Sequence, residues 1–588
     1  MAATEPPRAT LDERRPMWRW VAALALAAPL VLLLAEVARF GVNTMFTDEI
    51  YYVPFIRLVL EGGDWHPWIW LQHNEHRVIP MKLLMVALAG PTHWSQKAEM
   101  WATVVIILVV VGLVWAIYRR SGGERTVAGA LVFAPVVWLV ATLGQYENLL
   151  TGMQVCFLFT SLGTVAALYL LGWRSWIATL GACIAAVLGA FSIISGFMVF
   201  PAGVAVLLSR RATWPHWFLW LGSGAVAVDV YQRSYIRPPH TVVIQYTLGG
   251  LYKVVKLWLA TLGAPLAAGS EAWAVAAGLL LTGVTLFFAW RWWKSDADSR
   301  EEQGISFGLV LFAMGFAASI AVGRAFMAGI DPIGSRYITH SLLGWVGAYF
   351  LTLHLVRREG RPAWAVAACA LLLPALLAAD LFGLKMSREW RLQRVQDQYV
   401  MQTIDHQSDR VVARFGPPAS FREQISYLKQ ARLSGFAVAQ RMLLLMDPTT
   451  GLPTQEIVPG AAAEQTLVCP IPVLHDVGVL MLPADLPGKE RFEIVVSSGS
   501  QQLVRHVATT AEAGAWSWLR VDLPRPFADC AGKPLKVRLA SVDGGPGKAV
   551  RVLAAEPYFP GSDLTVGSTA MPGRRLGMAL DAYHLGVL

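Results

Sequence analysis

The sequence predicts a polytopic α-helical membrane protein with a C-terminal all-β domain, on three observations. Only 15% of its 588 residues are Asp, Glu, Lys or Arg, against about 25% in a typical soluble domain. Mean hydropathy is +0.47 and 55% of the residues are apolar, more than a soluble core can bury. Up to about Lys385 the apolar residues gather in runs that approach the ~20 residues of a bilayer crossing; beyond it, short alternating segments take over. This composition excludes an ordinary soluble enzyme. The net charge of +9 sits largely in short loops, where it reads as a topology signal. With no basic stripe, it does not point to nucleic acid.

The first run, Trp18 to about Val37, follows Arg14 and Arg15. It exceeds the roughly 7–15 residues of a cleavable signal core, and no small-x-small site follows before Phe40, so it predicts a first span with a cytoplasmic N-terminus and a cytoplasmic tail over 1–16. Further spans are expected at 99–118, 126–144, 152–171, 176–191, 196–209, 214–231, 272–291, 304–323, 337–356 and 362–382. Together they make about eleven in a membrane domain over 17–383, each a stretch near the crossing length. Two other apolar stretches, 78–90 and 251–268, are interrupted by Pro80 and Lys82 and by Lys253, Lys256 and Pro265; they are expected to lie on the surface or re-enter. Charge supports this. If neither crosses, Arg119, Arg120, Arg125, Arg174, Arg210 and Arg211 are cytoplasmic, while the opposite loops carry Arg233 and Arg237. The loop 41–98 and everything from Gly383 onward then face outside.

Residues 384–460 read as a charged helical connector to about Met446, followed by a Pro/Gly/Thr linker from Asp447 to Gly460. Residues 461–588 read as an external β-sandwich, jelly-roll-like in its strand rhythm, with strands near 492–497, 502–507, 516–523, 535–541 and 550–554. Trp516, Trp518 and Tyr558 are candidate glycan-contacting aromatics there, or core residues. Of five cysteines, Cys156, Cys183 and Cys369 lie in apolar runs and read as inert hydrophobes. Cys469 and Cys530 are candidates for a disulfide that no spacing rule requires.

Four polar clusters carry the candidate chemistry, and the topology puts all of them outside. Asp48 and Glu49, in Thr47-Asp48-Glu49-Ile50-Tyr51-Tyr52, follow the first span; a carboxylate in a low-dielectric setting can be tuned as a general base, and solvated loop acids are the alternative. His73, Glu75, His76 and Arg77, with Lys82, combine imidazoles, a carboxylate and cations suited to a phosphate or sugar. Their spacing matches no zinc motif, so no metal ligands are assigned. Gln145, Glu147 and Asn148 suit either hydroxyl recognition or hydrogen bonding between helices. Arg324 and Arg336, with Tyr337 and His340 beside them, flank a turn; guanidinium binds phosphate bidentately, while snorkelling is the alternative. Convergence on one side of the membrane favours function, since juxtamembrane ionisable groups are functional candidates.

On these residues the chain resembles the GT-C superfamily of membrane glycosyltransferases, which use polyprenyl-phosphate-linked sugars. Asp48-Glu49 stands where that superfamily has an acidic pair after its first helix, with 53–62 and 78–90 in the place of two surface helices. The resemblance extends over about 17–383, and the shared motif is the acidic pair followed by aromatics. It implies a polyprenyl-phosphate sugar donor, a glycan, lipid or protein acceptor, membrane lipid as surroundings, and no cofactor, with the need for a divalent cation left open. It also implies Asp48 as base, Glu49 as its substitute, and Arg324, Arg336, Arg77 and Lys82 stabilising the departing lipid phosphate. Glu75, His76, Gln145, Glu147 and Asn148 would orient acceptor or sugar. His73–Arg77 and Gln145–Asn148 depart from the protein O-mannosyltransferase pattern, which leaves the acceptor open, as is the choice between one sugar and en bloc transfer. A bacterial cytoplasmic membrane is the expected location. The competing classes are a transporter or flippase of lipid-linked glycan, which would favour midplane polar residues and inverted repeats, and a non-catalytic glycan-binding envelope protein.

Overall fold

The computed structural model describes residues 16–238, 246–327, 331, 333–402, 404, 409–437, 442–444, 446–454, 456–469, 473–482, 490–509, 518–530, 532–543, 551–557, 564–571, 575–576 and 578–581. The chain forms two compact units: one of Met1–Asn43 with Pro54–Arg391, the other of Thr44–Val53 with Leu392–Leu588.

The first unit is helical. Helix α1 is Pro16–Phe40, and α2 (Val53–Glu61), α3 (His66–Trp70) and α4 (Ile79–Ala89) occupy the segment after it. Then come α5 (Gln96–Arg120), α6 (Val127–Val140), α7 (Tyr146–Leu149), α8 (Val155–Leu171), α9 (Trp176–Ala190), α10 (Val199–Ser209) and α11 (Trp214–Gln232). The series ends with α12 (Leu248–Gly263), α13 (Glu271–Lys294), α14 (Ala297–Arg324), α15 (Ser335–Arg358) and α16 (Pro362–Gln402), which carries the chain into the second unit.

Among the described residues, 7 helical segments are long and apolar enough to cross a membrane: Met17–Phe40, Gln96–Arg120, Val127–Leu149, Gly152–Leu171, Glu271–Lys294, Ala297–Arg324 and Ala367–Arg391. By length and composition this is a multi-pass membrane protein. Every run expected to span is helical, but the count falls short of eleven. Helices α9 and α10 are too short, while α11 and α15 fall short in apolarity. Helix α15 shows why. It is buried along almost its whole length, including Ser335, Thr339, His340 and Ser341, so protein surrounds it and its sequence need not be apolar. Helix α13 is the opposite case. It buries only Ala274, Gly278, Leu281, Thr285 and Phe288, a stripe with the 3.5-residue recurrence of a helix–helix seam, and exposes Trp273, Leu279, Leu280, Leu286 and Phe287. Such an apolar outer face suits lipid. The seam is tight: a Cβ on Gly278 would lie 2.0 Å from the Leu259 carbonyl of α12, the close approach that small residues permit. Helices α2 and α4 match the expected 53–62 and 78–90, and neither is among the candidate spans.

The second unit adds α17 (Asp409–Val412) and α18 (Pro418–Ala431), then two antiparallel sheets. The first takes β1 (Met442–Leu444), β2 (Met446–Pro453), β4 (Val473–Leu482), β7 (Trp518–Ala528), β9 (Arg551–Pro557), β12 (Arg575–Leu576) and β13 (Met578–Asp581); the second takes β3 (Ala462–Val468), β5 (Arg491–Ser498), β6 (Gln501–Thr509), β8 (Pro534–Ser541), β10 (Leu564–Val566) and β11 (Thr569–Met571). Val537 and Leu539 of β8 and Ile494 of β5 join Val477 and Val479 of β4 and Val521 of β7 in one core, the arrangement of a sandwich. The stretch expected as a linker contains β2, which pairs with β9. The sequence of β4 lacks clean alternation, and its pairing with β7 shifts register between Leu474 and Asp476. Cys469, after β3, is disulfide-bonded to Cys530, after β7; both are buried in that core, tying one sheet to the other. Trp516, Tyr558 and the side chain of Trp518 lie outside the described residues.

Candidate functional site

In the second unit, Asp48 and Glu49 sit on a 3-10 turn, Thr47–Tyr52, entered from an extended Phe46. Glu49 is 1% exposed, and its Oε2 accepts from the Phe46 N–H at 2.6 Å, the reach-back half of a capping box. Phe46 in turn lies under the Arg394 guanidinium, 4.9 Å from ring centroid to Cζ, and Arg394 pairs with Asp397 at 2.7 Å. The acidic pair is therefore unequal. Glu49 holds the turn, and Asp48 is the partly exposed carboxylate.

In the first unit, three of the four polar clusters meet at the end of the α14–α15 pair where α14 finishes and α15 begins. His73-Asn74-Glu75-His76 is a tight turn, with backbone bonds His73 N–H to His76 O at 2.7 Å and His76 N–H to His73 O at 2.8 Å. Asn74 takes the left-handed conformation, φ 50°, which an Asn tolerates. Glu75 points to the end of α14, where Arg324 Nη2 meets its Oε1 at 3.0 Å; both side chains are largely buried. His76 Nδ1 accepts from the Ile194 N–H at 3.2 Å, so the other ring nitrogen carries the proton of the neutral form. Burial lowers the His76 pKa from 6.5 to about 4; Glu75 opposes this, while His73 and Arg324 reinforce it.

Arg77 and Lys82 serve the chain itself. Arg77 donates to the carbonyls of Trp70 (2.6 Å), Tyr231 (2.8 Å) and Arg233 (2.5 Å). Lys82 donates to those of Trp68 (3.0 Å), Ile69 (3.3 Å) and Leu71. These carbonyls belong to the ends of α3 and α11, whose last C=O groups lack helical partners. Burial, with Arg77 nearby, pushes the Lys82 ammonium down to about 7, yet three acceptors match the three donors of its charged form. The two cations are 5% and 2% exposed and anchor this loop, a use the sequence pattern did not distinguish from phosphate binding.

The third cluster docks on the start of α15. Glu147 Oε2 accepts from the Arg336 backbone N–H at 3.1 Å and lies 3.4 Å from its guanidinium, a carboxylate at a helix N-terminus where the dipole favours it. Thr339 Oγ1 donates to Gln145 Oε1 and accepts from Asn148 Nδ2, both at 2.7 Å. Asn148 Nδ2 also reaches the Arg336 carbonyl at 3.0 Å. Tyr337 is buried beside Phe316, ring centroids 6.4 Å apart. His340 is buried and stacks on Phe316 at 4.3 Å.

Some polar atoms of this region remain unpaired. Asn148 Oδ1, Thr151 Oγ1 and Gln154 Oε1 are buried with no hydrogen-bond partner among the described residues, a state that calls for an explanation in a native protein. A cavity of about 260 Å³ is lined by Tyr146, Asp331, Ser335, Ala264, Phe382 and Met386; Tyr146 and Ser335 are sequence neighbours of Glu147 and Arg336. The Arg336 side chain is 41% exposed and that of Arg324 23%. Both can still donate outward while carboxylates orient them. No cluster of three or more His, Cys, Asp or Glu suited to a metal occurs among the described residues.

Sequence reasoning missed two buried acids. Glu36 of α1 and Asp380 of α16 are 2% and 7% exposed and lie within candidate spans. Asp380 Oδ1 accepts from Thr142 Oγ1 (2.7 Å) and the Leu143 N–H (2.9 Å), fixing the turn that leads to Gln145. A charge inside an apolar run was the signal available, since such residues are rare and usually paired or functional. No protein-family model matches the sequence, and no curated protein matches it.

Proposed function

We propose that the protein is a membrane glycosyltransferase of GT-C type that moves a sugar from a polyprenyl-phosphate donor to a glycan, lipid or protein acceptor on the extracytoplasmic face of a bacterial cytoplasmic membrane. The carrying observation is that the pairs Glu75–Arg324 and Glu147–Arg336 stand at the end of α14 and the start of α15, the same end of an otherwise apolar helical unit; buried Asn148, Thr151 and Gln154 atoms without hydrogen-bond partners among the described residues add polar groups to this region. Hydroxyl-rich sugar satisfies buried acceptors and donors, and fixed guanidinium groups stabilise phosphate charge in a water-poor site. In the reaction, the Asp48 carboxylate takes the proton of an acceptor hydroxyl. That oxygen bonds to the anomeric carbon, and the bond from that carbon to the phosphate oxygen breaks, its electron pair leaving on polyprenyl phosphate. The charge pattern of the loops supports an inside N-terminus and a β-sandwich outside.

The test is transfer of labelled sugar from a panel of polyprenyl-phosphate sugars in membranes holding wild type, Asp48→Asn or Glu49→Gln at matched levels. Transfer lost in Asp48→Asn supports the reading; equal transfer removes Asp48 from the role. One observation favours a second reading, a flippase of lipid-linked glycan: Glu36 and Asp380 are carboxylates inside candidate spans, as in proton relays. Flipping of a fluorescent lipid-linked glycan in proteoliposomes, abolished by Glu36→Gln and without any transfer, would favour it.

A further inference from the structure

The opposite end of α14 carries a different arrangement. Glu301 lies 23 residues before Arg324 on this helix, about 35 Å away at 1.5 Å per residue, comparable to the ~30 Å hydrocarbon core of a bilayer. At that end the turn Gly172-Trp173-Arg174 joins α8 to α9, and the last residues of α5 and α10 close on it. Arg120 Nη2 donates to the Gly172 carbonyl at 2.5 Å, and its guanidinium lies 4.9 Å from the Trp173 ring centroid. Arg210 Nη1 donates to the Trp173 carbonyl at 2.6 Å. Arg174 pairs with Glu301 at 2.5 Å.

Arg210 is the residue this leaves unexplained. It is 3% exposed, and both its Nε and its Nη2 have no hydrogen-bond partner among the described residues. The charges acting on it are Arg174, Glu301 and Arg120: two cations against one carboxylate, and that carboxylate is already engaged by Arg174. A buried, unpaired charge is costly. A guanidinium with a free Nε and Nη2 edge presents the two parallel donors that match two oxygens of a phosphate. A second observation says where such a phosphate comes from. Trp173, Trp176, Trp214 and Trp293 are all strongly exposed, and each belongs to a helix end or turn on this side: α8 to α9, α10 to α11, and α13 to α14. Exposed tryptophans gathered at one level mark the membrane–water boundary.

We propose that Arg210, flanked by Arg120 and Arg174, binds the phosphate of an anionic phospholipid headgroup at this surface of the membrane. Arg210 supplies the buried two-donor edge. The exposed Arg120 and Arg174 close over the phosphate from the water side, and Trp173 contacts the lipid below it. The site stands about a bilayer thickness from Arg324, so it does not depend on the glycosyltransferase reading, and either can fail alone.

The experiment is native mass spectrometry of the full-length detergent-purified protein with added dioleoyl phosphatidylglycerol, dioleoyl phosphatidylcholine or inorganic phosphate. Wild type is expected to retain phosphatidylglycerol in preference to phosphatidylcholine. Arg210→Gln is expected to bind it about tenfold more weakly, the loss that follows from one charge-assisted hydrogen-bonded contact. Because Arg210 is buried, Arg120→Gln and Arg174→Gln carry the same test at exposed positions, with a smaller loss expected in each. Equal retention of phosphatidylglycerol by wild type and all three variants overturns the proposal. Saturation by inorganic phosphate that abolishes lipid retention equally in wild type and Arg210→Gln overturns the assignment of the site to a lipid.

Discussion

Two groups of arginines at opposite ends of the helical unit, Arg324 with Arg336 and Arg120 with Arg174 and Arg210, are paired differently. Where α14 meets α15, Arg324 has Glu75 and Arg336 has Glu147; each guanidinium is oriented by a carboxylate from a distant segment. At the other end Arg174 takes Glu301, as Arg291 and Arg358 take Glu359 and Asp296, while Arg210, the most buried, has two nitrogens without a hydrogen-bond partner among the described residues. Under the proposed function, the carboxylate-oriented Arg324 and Arg336 stand beside the substrate. In the further proposal, the under-paired Arg210 takes a phosphate from outside the chain. Counting arginines on each side of a membrane reads topology, but only the pairing separates these two roles.

The largest effect expected is at Asp380, which anchors the paired end. Asp380→Ala strips acceptors from the Thr142 hydroxyl and the Leu143 N–H and should destabilise the detergent-solubilised protein by about 3 kcal/mol, the range for leaving buried donors unsatisfied. Asp380→Asn keeps an oxygen for both and should remain close to wild type. A thermal midpoint that falls equally in the two variants would show that the charge, not the acceptor, matters there.

Acid should act next, and on the same end. His76 titrates near 4 in the folded chain and near 6.5 when unfolded. Between these values the unfolded state binds more protons, so the contribution is full above about pH 6.5 and is lost as pH falls toward 4, by at most about 3 kcal/mol. The residue is only half-buried, and solvent screening brings the effect below that bound. His76→Gln should flatten the acid limb of a melting-temperature profile; an unchanged limb would place the sensitivity elsewhere.

A double-mutant cycle on Glu75→Gln and Arg324→Gln should show a coupling of about 1 kcal/mol or somewhat more, since the pair is partly buried and hydrogen-bonded. The cycle on Glu301→Gln and Arg174→Gln should show almost none in stability, because Arg174 is exposed and water screens the pair. Equal couplings at the two ends would erase the contrast between them.

Much of the helical unit was legible. The apolar runs all became helices, and the clusters at 73–77, 145–148 and 324–337 were visible as polar residues expected on one side. Their partners were not visible. Glu75 and Arg324 are 249 residues apart and Thr142 and Asp380 are 238 apart, distances over which no periodicity carries information. Arg77 and Lys82 looked like ligand-binding cations because side-chain type says nothing about nearby carbonyls; the ends of α3 and α11 turned out to need them. In the β unit, strands with clean alternation were readable, whereas β2 was hidden by its Pro, Gly and Thr residues and β4 by its lack of clean alternation.

By itself, the sequence determined the partition into a lipid-facing helical part and an alternating β part, because transfer free energy and residue periodicity are local properties of the chain. Tertiary structure alone decided that Glu49 closes its own turn, that Cys469 meets Cys530, and that α15 is enclosed despite its polar residues. It also decided which arginines meet carboxylates and which, like Arg77 and Arg210, meet backbone carbonyls. Those outcomes depend on which groups share a low-dielectric space, where a partner a few ångströms away outweighs everything adjacent in the chain.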